Sequence, residues 1–144
     1  MMHQPFIGER FWGDGAAARY EGPAGQRSLR TRSCTGLEAA TIMTTSPKLF
    51  DAETKGLFEQ VEARCRTYRY GADCYAYCML AAGHVDLVVE AGLKPYDIAA
   101  LVPIIEGAGG IVTTWDGGPA SGGGRIVAAG DKRVHAEALA ILNP

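Results

Sequence analysis

No stretch of this 144-residue sequence is apolar for long enough to cross a bilayer, and its opening, Met1-Met2-His3-Gln4-Pro5, has neither the basic nor the apolar segment of a secretory leader. A soluble, cytoplasmic protein is the expectation. Positive charge is not in excess: 14 Lys and Arg are intermixed with 16 Asp and Glu for a formal net charge of -2, which argues against nucleic acid or a membrane surface as partner. The glycine-rich loop 117–124 has no Gly-Lys-Ser/Thr ending, and Gly107-Ala108-Gly109-Gly110 follows a helical pattern where a dinucleotide fingerprint must follow a strand. No Gly-x-Ser-x-Gly elbow occurs, and none of Cys34, Cys65, Cys74 and Cys78 has an evident histidine partner, so covalent catalysis has no candidate nucleophile. Without a leader these cysteines read as free thiols. Cys74 and Cys78, four apart and near His84, imitate half of a metal site, but no second ligand pair completes it and buried cysteine packs as a small hydrophobe.

What is present is an alternation of strand and helix patterns. Phe6–Trp12 and Ala16–Tyr20 read as a hairpin joined by Gly13-Asp14-Gly15, a link that supplies positive φ angles. A strand over 39–45 stops at Ser46-Pro47; Asp51 caps a helix reaching Arg64, and a short strand over 66–70 precedes a helix over 72–82. On that helix Tyr75, Cys78, Met79 and Ala82 fall at i, i+3, i+4 and i+7 and are expected to face inward. Val85–Glu90 has the composition of a strand buried on both faces. Pro95-Tyr96-Asp97 opens a helix that Pro103 should kink, and strands 110–114 and 125–129 precede a last helix over 131–142. The fold class expected is α/β, a layered sandwich with a mixed central sheet between helices.

Three acids sit where an element begins or ends. Glu90 closes an apolar strand, Asp97 lies in the first turn of the next helix, and Asp73 follows Gly71 at the start of another. An acid in a first turn is rigid and favoured by the helix dipole, which suits a hard cation such as magnesium, yet aspartate there is often only a cap. Glu90 could equally face water.

Read together, Gly71-Ala72-Asp73, Val88-Val89-Glu90-Ala91-Gly92, Pro95-Tyr96-Asp97-Ile98-Ala99-Ala100 and Glu106-Gly107-Ala108-Gly109-Gly110 resemble the C-terminal signature of the inositol monophosphatase superfamily. Tyr96 stands in place of that signature's customary tryptophan, and Gly107-Ala108 where alanine alone is usual. Gly71–Tyr77 and Leu93–Asp97 are more similar to its histidinol-phosphatase branch. The resemblance implies a Mg2+-dependent phosphomonoesterase in which Asp97 is a metal ligand, Glu90 bonds the organic part of a small phosphate monoester, and the turn Gly71, Ala72, Asp73 lines the substrate pocket. The nucleophile would be a metal-activated water, with no catalytic side chain assigned. A carboxylate at position 73 favours a cationic substrate such as histidinol phosphate, from histidine biosynthesis; inositol or sugar phosphates are the alternative. Such enzymes draw further ligands from an upstream glutamate and an Asp-Pro-Ile/Leu-Asp-Gly-Thr motif, and this sequence contains no Asp-Pro pair. The expectation is therefore a truncated chain, little active alone: residues 1–30 a remnant hairpin and linker, 31–144 the C-terminal α/β domain. It would be a homodimer, or self-associate through the hairpin's exposed apolar face; a non-catalytic remnant or half-enzyme awaiting an N-terminal partner is the further alternative.

Overall fold

The computed structural model describes residues 1–144 and contains two sheets. The first is a four-stranded antiparallel meander of β1 (Met2–Gln4), β2 (Glu9–Gly13), β3 (Ala18–Gly22) and β4 (Gly25–Ser28). The second holds five strands in the order β6 (Thr67–Tyr70), β5 (Thr41–Thr44), β7 (Leu87–Leu93), β9 (Gly124–Ala129) and β8 (Ile111–Thr114). Within it β5 runs parallel to β6 and β7, while β9 is antiparallel to β7 and β8, so the sheet is mixed as expected. Five helices accompany it: α1 (Ala52–Arg64), α2 (Cys74–Ala81), α3 (Pro95–Ile98), α4 (Val102–Gly107) and α5 (Lys132–Leu142). No helix is long and apolar enough to cross a membrane.

Strand β7 explains the two-sided core. Leu87 and Val89 point into one apolar cluster with Phe58, Val61, Val134 and Ala138 of α1 and α5, while Val88 points into another with Leu80 of α2 and Ile104 and Ile105 of α4. A strand with helices on both faces loses the alternation of a half-exposed one and reads as a continuous apolar run.

Three expectations need correction. The hairpin is not an orphan with an open apolar face: Phe11, Ala18 and Tyr20 are buried with the α2 and α4 side chains in one cluster, so self-association through that face has no basis. Glycine makes the docking possible, since a Cβ on Gly107 would lie 2.4 Å from the carbonyl oxygen of Ala17, and one on Gly13 at the same distance from that of Pro103. Pro103 does not kink one helix. It lies in the first turn of α4, where its missing N–H is not needed, and a turn over 99–101 separates α3 from α4. The inward residues of α2 are Ala76, Tyr77, Cys78, Leu80 and Ala81, with Tyr75, Met79 and Ala82 only partly buried. This helix packs on α4 and on β7 together, so its buried surface is wider than one stripe and is centred elsewhere.

Candidate functional site

The site is built at the end of the parallel pair β5 and β7. Beyond Thr44 the chain leaves β5, and the Thr44 and Thr45 carbonyls both accept from the N–H of Gly71, at 3.0 Å each. That fastens the turn after β6 to the rim of the sheet. The donors of the same two threonines hold Glu90: its Oε1 accepts from Thr45 N at 2.7 Å and Thr45 Oγ1 at 2.8 Å, and its Oε2 from Thr44 Oγ1 at 3.3 Å. A shift of register in β7 follows directly between Glu90 and Leu93, with Gly92 at φ 80°, before pairing with β9 resumes at Leu93 and Gly124.

Glu90 is thus not a solvent-facing carboxylate. It is 1 % exposed, and burial raises its pKa above the usual 4.5, opposed by the bonds from Thr45 and Thr44 and reinforced by the charge of Asp73. Because the folded value is the raised one, the folded state holds a proton that the unfolded chain has lost. Stability is therefore greatest below pH 4.5 as far as this group is concerned, falls as pH rises towards the folded pKa, and is level beyond it. Glu90→Gln should remove that decline; urea denaturation of both proteins from pH 4 to 8 checks it, and parallel profiles would contradict it.

Asp73 owes its position to strain. Gly71, Ala72 and Asp73 all have positive φ, at 95°, 73° and 44°, a region that costs the two non-glycine residues of the order of 1–3 kcal/mol each. Asp73 occupies the N-cap position of α2, yet its side chain makes no capping bond. Its exposed carboxylate remains free for the cavity. Asp97 acts as a cap, its Oδ2 accepting from the backbone N–H of Lys94 at 2.7 Å and fixing the first turn of α3, while Oδ1 is uncommitted.

Asp73, Glu90 and Asp97 line one cavity of about 500 Å³, with Thr45, Cys74, Tyr77 and Leu93 among its other walls and no basic side chain. Gly71 and Ala72, expected to line it, do not; they shape the turn that presents Asp73. Burial and the charges of Asp73 and Asp97 push the Cys74 thiol up, which keeps it protonated and a poor nucleophile. Nothing in the sequence singled out Thr44, Thr45 or Tyr77. The threonines end an ordinary strand, and Tyr77 is one of several apolar residues on α2.

No group of three or more His, Cys, Asp or Glu side chains converges on a point that could hold a metal ion. These residues fit one corner of a magnesium site, a single exposed carboxylate oxygen on a rigid turn. A hard cation held so thinly keeps most of its water, so no chemical step is assigned to a metal on these residues alone.

The pattern of the inositol monophosphatase family matches residues 1–143. The chain is 42 % identical to the bifunctional phosphatase IMPL2 of Arabidopsis thaliana, over 99 % of this chain and 43 % of that protein. It is 32 % identical to the histidinol-phosphatase of Streptomyces coelicolor, over 99 % of this chain and 54 % of that one. The solved structure of an inositol monophosphatase from Zymomonas mobilis superimposes with a TM-score of 0.91 at 42 % identity, covering 99 % of this chain and 56 % of that chain. The chain spans about half the length of the curated relatives it matches.

Proposed function

For a chain that belongs to the inositol monophosphatase family, we infer that the cavity is the substrate-recognition part of a magnesium-dependent phosphomonoesterase, and that the substrate is a cationic phosphate ester, histidinol phosphate foremost. The observation that carries this reading is the sign of the cavity: three carboxylates and no basic group among its walls. A neutral polyol gains little from that field, whereas an ammonium or imidazolium group donates charge-assisted hydrogen bonds to the carboxylates. In this reading Asp73 and Glu90 take the cationic organic group and Asp97 contributes one oxygen to magnesium at the phosphate end, where the metal would polarise the ester and activate water. Because Asp97 alone binds magnesium weakly, this reading needs further metal ligands that these residues do not supply, and the chain by itself should turn over little or no substrate.

A second reading, an inositol or sugar phosphatase, is favoured by the Zymomonas mobilis inositol monophosphatase. Calorimetric titration of the purified chain with L-histidinol phosphate and with myo-inositol 1-phosphate, both with magnesium, separates the two. The expected outcome is tighter binding of the cationic ester, and an Asp73→Asn variant that loses about 10-fold on it, the worth of one charged hydrogen bond, with little change for the inositol ester. Equal losses on both ligands, or a preference for the inositol ester, would favour the second reading.

A further inference from the structure

Tyr77 carries the one buried side-chain nitrogen or oxygen in the chain that has no hydrogen-bond partner. The residue is 2 % exposed and belongs to the core cluster, while its side chain also forms part of the cavity wall. Phenylalanine would fill the same volume without stranding a polar atom, so packing alone gives no reason for the hydroxyl. Neither carboxylate beside the cavity bonds it: Glu90 accepts from Thr44 and Thr45 and Asp97 from Lys94, and Tyr77 donates to neither. The hydroxyl nonetheless lies within the field of the Glu90 and Asp97 carboxylates, which together with burial hold its proton firmly.

We propose that the Tyr77 hydroxyl is a ligand-binding group, a third contact beside Asp73 and Glu90 for the cationic nitrogen of the ligand. The inference rests on the reading of the cavity as a receptor for a cationic ester. A phenol accepts one hydrogen bond and donates another. An ammonium or imidazolium drawn in by the carboxylates brings the N–H that the phenolic oxygen lacks, and an oxygen on the same small ligand can accept a hydrogen bond from the phenolic O–H. The hydroxyl is buried in the free protein and has no partner among the protein's own groups. Neutral polyols can make the same two bonds, but nothing in the field of the cavity holds them there. The selectivity therefore comes from charge, and Tyr77 strengthens binding only once charge has delivered the ligand. A buried hydroxyl with no partner costs stability in the free protein, and a ligand that bonds it supplies the explanation packing does not.

The test uses the full 144-residue chain and its Tyr77→Phe variant, with L-histidinol and myo-inositol as probes at pH 7, measured by calorimetry and by thermal unfolding without ligand. The expected result is a loss of about 10-fold in affinity for L-histidinol, an unchanged response to myo-inositol, and a melting temperature raised by about 3 °C. Wild-type binding of L-histidinol that survives Tyr77→Phe undiminished overturns this inference and leaves the cationic reading standing. A wild-type chain that binds L-histidinol no better than myo-inositol, or binds neither, overturns the cationic reading and this inference with it. A variant that melts lower and loses both probes together assigns Tyr77 a structural role instead, and also overturns the inference.

Discussion

Asp86→Ala is expected to destabilise the protein by about 3 kcal/mol, out of a total that for a domain of this size is about 5–15 kcal/mol. Asp86 is buried on the approach to β7, and one carboxylate gathers three segments there. Its Oδ1 accepts from Arg32 Nε at 2.7 Å, and its Oδ2 accepts from Arg32 Nη2 at 2.5 Å and from the backbone N–H of Thr41 at 2.7 Å. The backbone of the same residue donates to the Thr41 carbonyl and accepts from Gly130, each at 2.9–3.0 Å. Arg32 lies on the connection between the two sheets, so the bidentate pair fastens the first sheet's exit to the centre of the second. Truncation strands the Thr41 N–H and leaves a guanidinium facing the space. The Arg32 side chain is 38 % exposed and can turn to water, which sets the cost at the lower end of the range for breaking a buried pair. Denaturant unfolding measures it; a change below about 0.5 kcal/mol, the range of ordinary surface substitutions, would show that the pair contributes no more than an exposed one.

Asp97→Asn carries the largest expected functional effect. The amide oxygen can still accept from Lys94 N, so α3 keeps its first turn and the fold is retained. What disappears is the anionic oxygen directed at the cavity. Divalent-cation affinity should fall by at least the 10–100-fold typical of altering a group that merely supports a metal ligand, with the melting temperature nearly unchanged.

The elements of the second sheet were legible because each carries a local signal. Asp51 caps α1 with bonds to the N–H groups of Glu53 and Thr54, and Asp131 caps α5 through Arg133 N, as their positions before apolar periodic runs suggest. The burial of Glu90 was not legible, because it depends on Thr44 and Thr45, which lie 45 residues or more away in sequence and meet Glu90 only through the pairing of β5 with β7. Asp86 and Arg32 escaped notice for the same reason, being 54 residues apart. Tyr77 was hidden by the assumption of a single inward stripe on α2, which fails for a helix covered by both a sheet and another helix. The first sheet was half seen. Its central hairpin had a turn signal, but β1 and β4 are short and polar, and the docking onto α4 depends on the absence of side chains at Gly13 and Gly107, a feature that composition does not mark. The acids at 73, 90 and 97 were candidates because each stood at an expected element boundary; Glu90 instead lies within β7, which runs on to Leu93, and shares a cavity with Asp73 and Asp97 at the end of the parallel strands.

Paramagnetic broadening by Mn2+, followed in backbone NMR spectra of the isotope-labelled chain with L-histidinol phosphate present, tests this arrangement most directly. Even a weakly held ion marks the residues it visits. Broadening that begins at Asp97 and spreads to Asp73, Cys74 and Glu90, and that Asp97→Asn abolishes, is the result the account predicts. Broadening centred on other acidic surfaces, or equally strong in the Asp97→Asn variant, would contradict it.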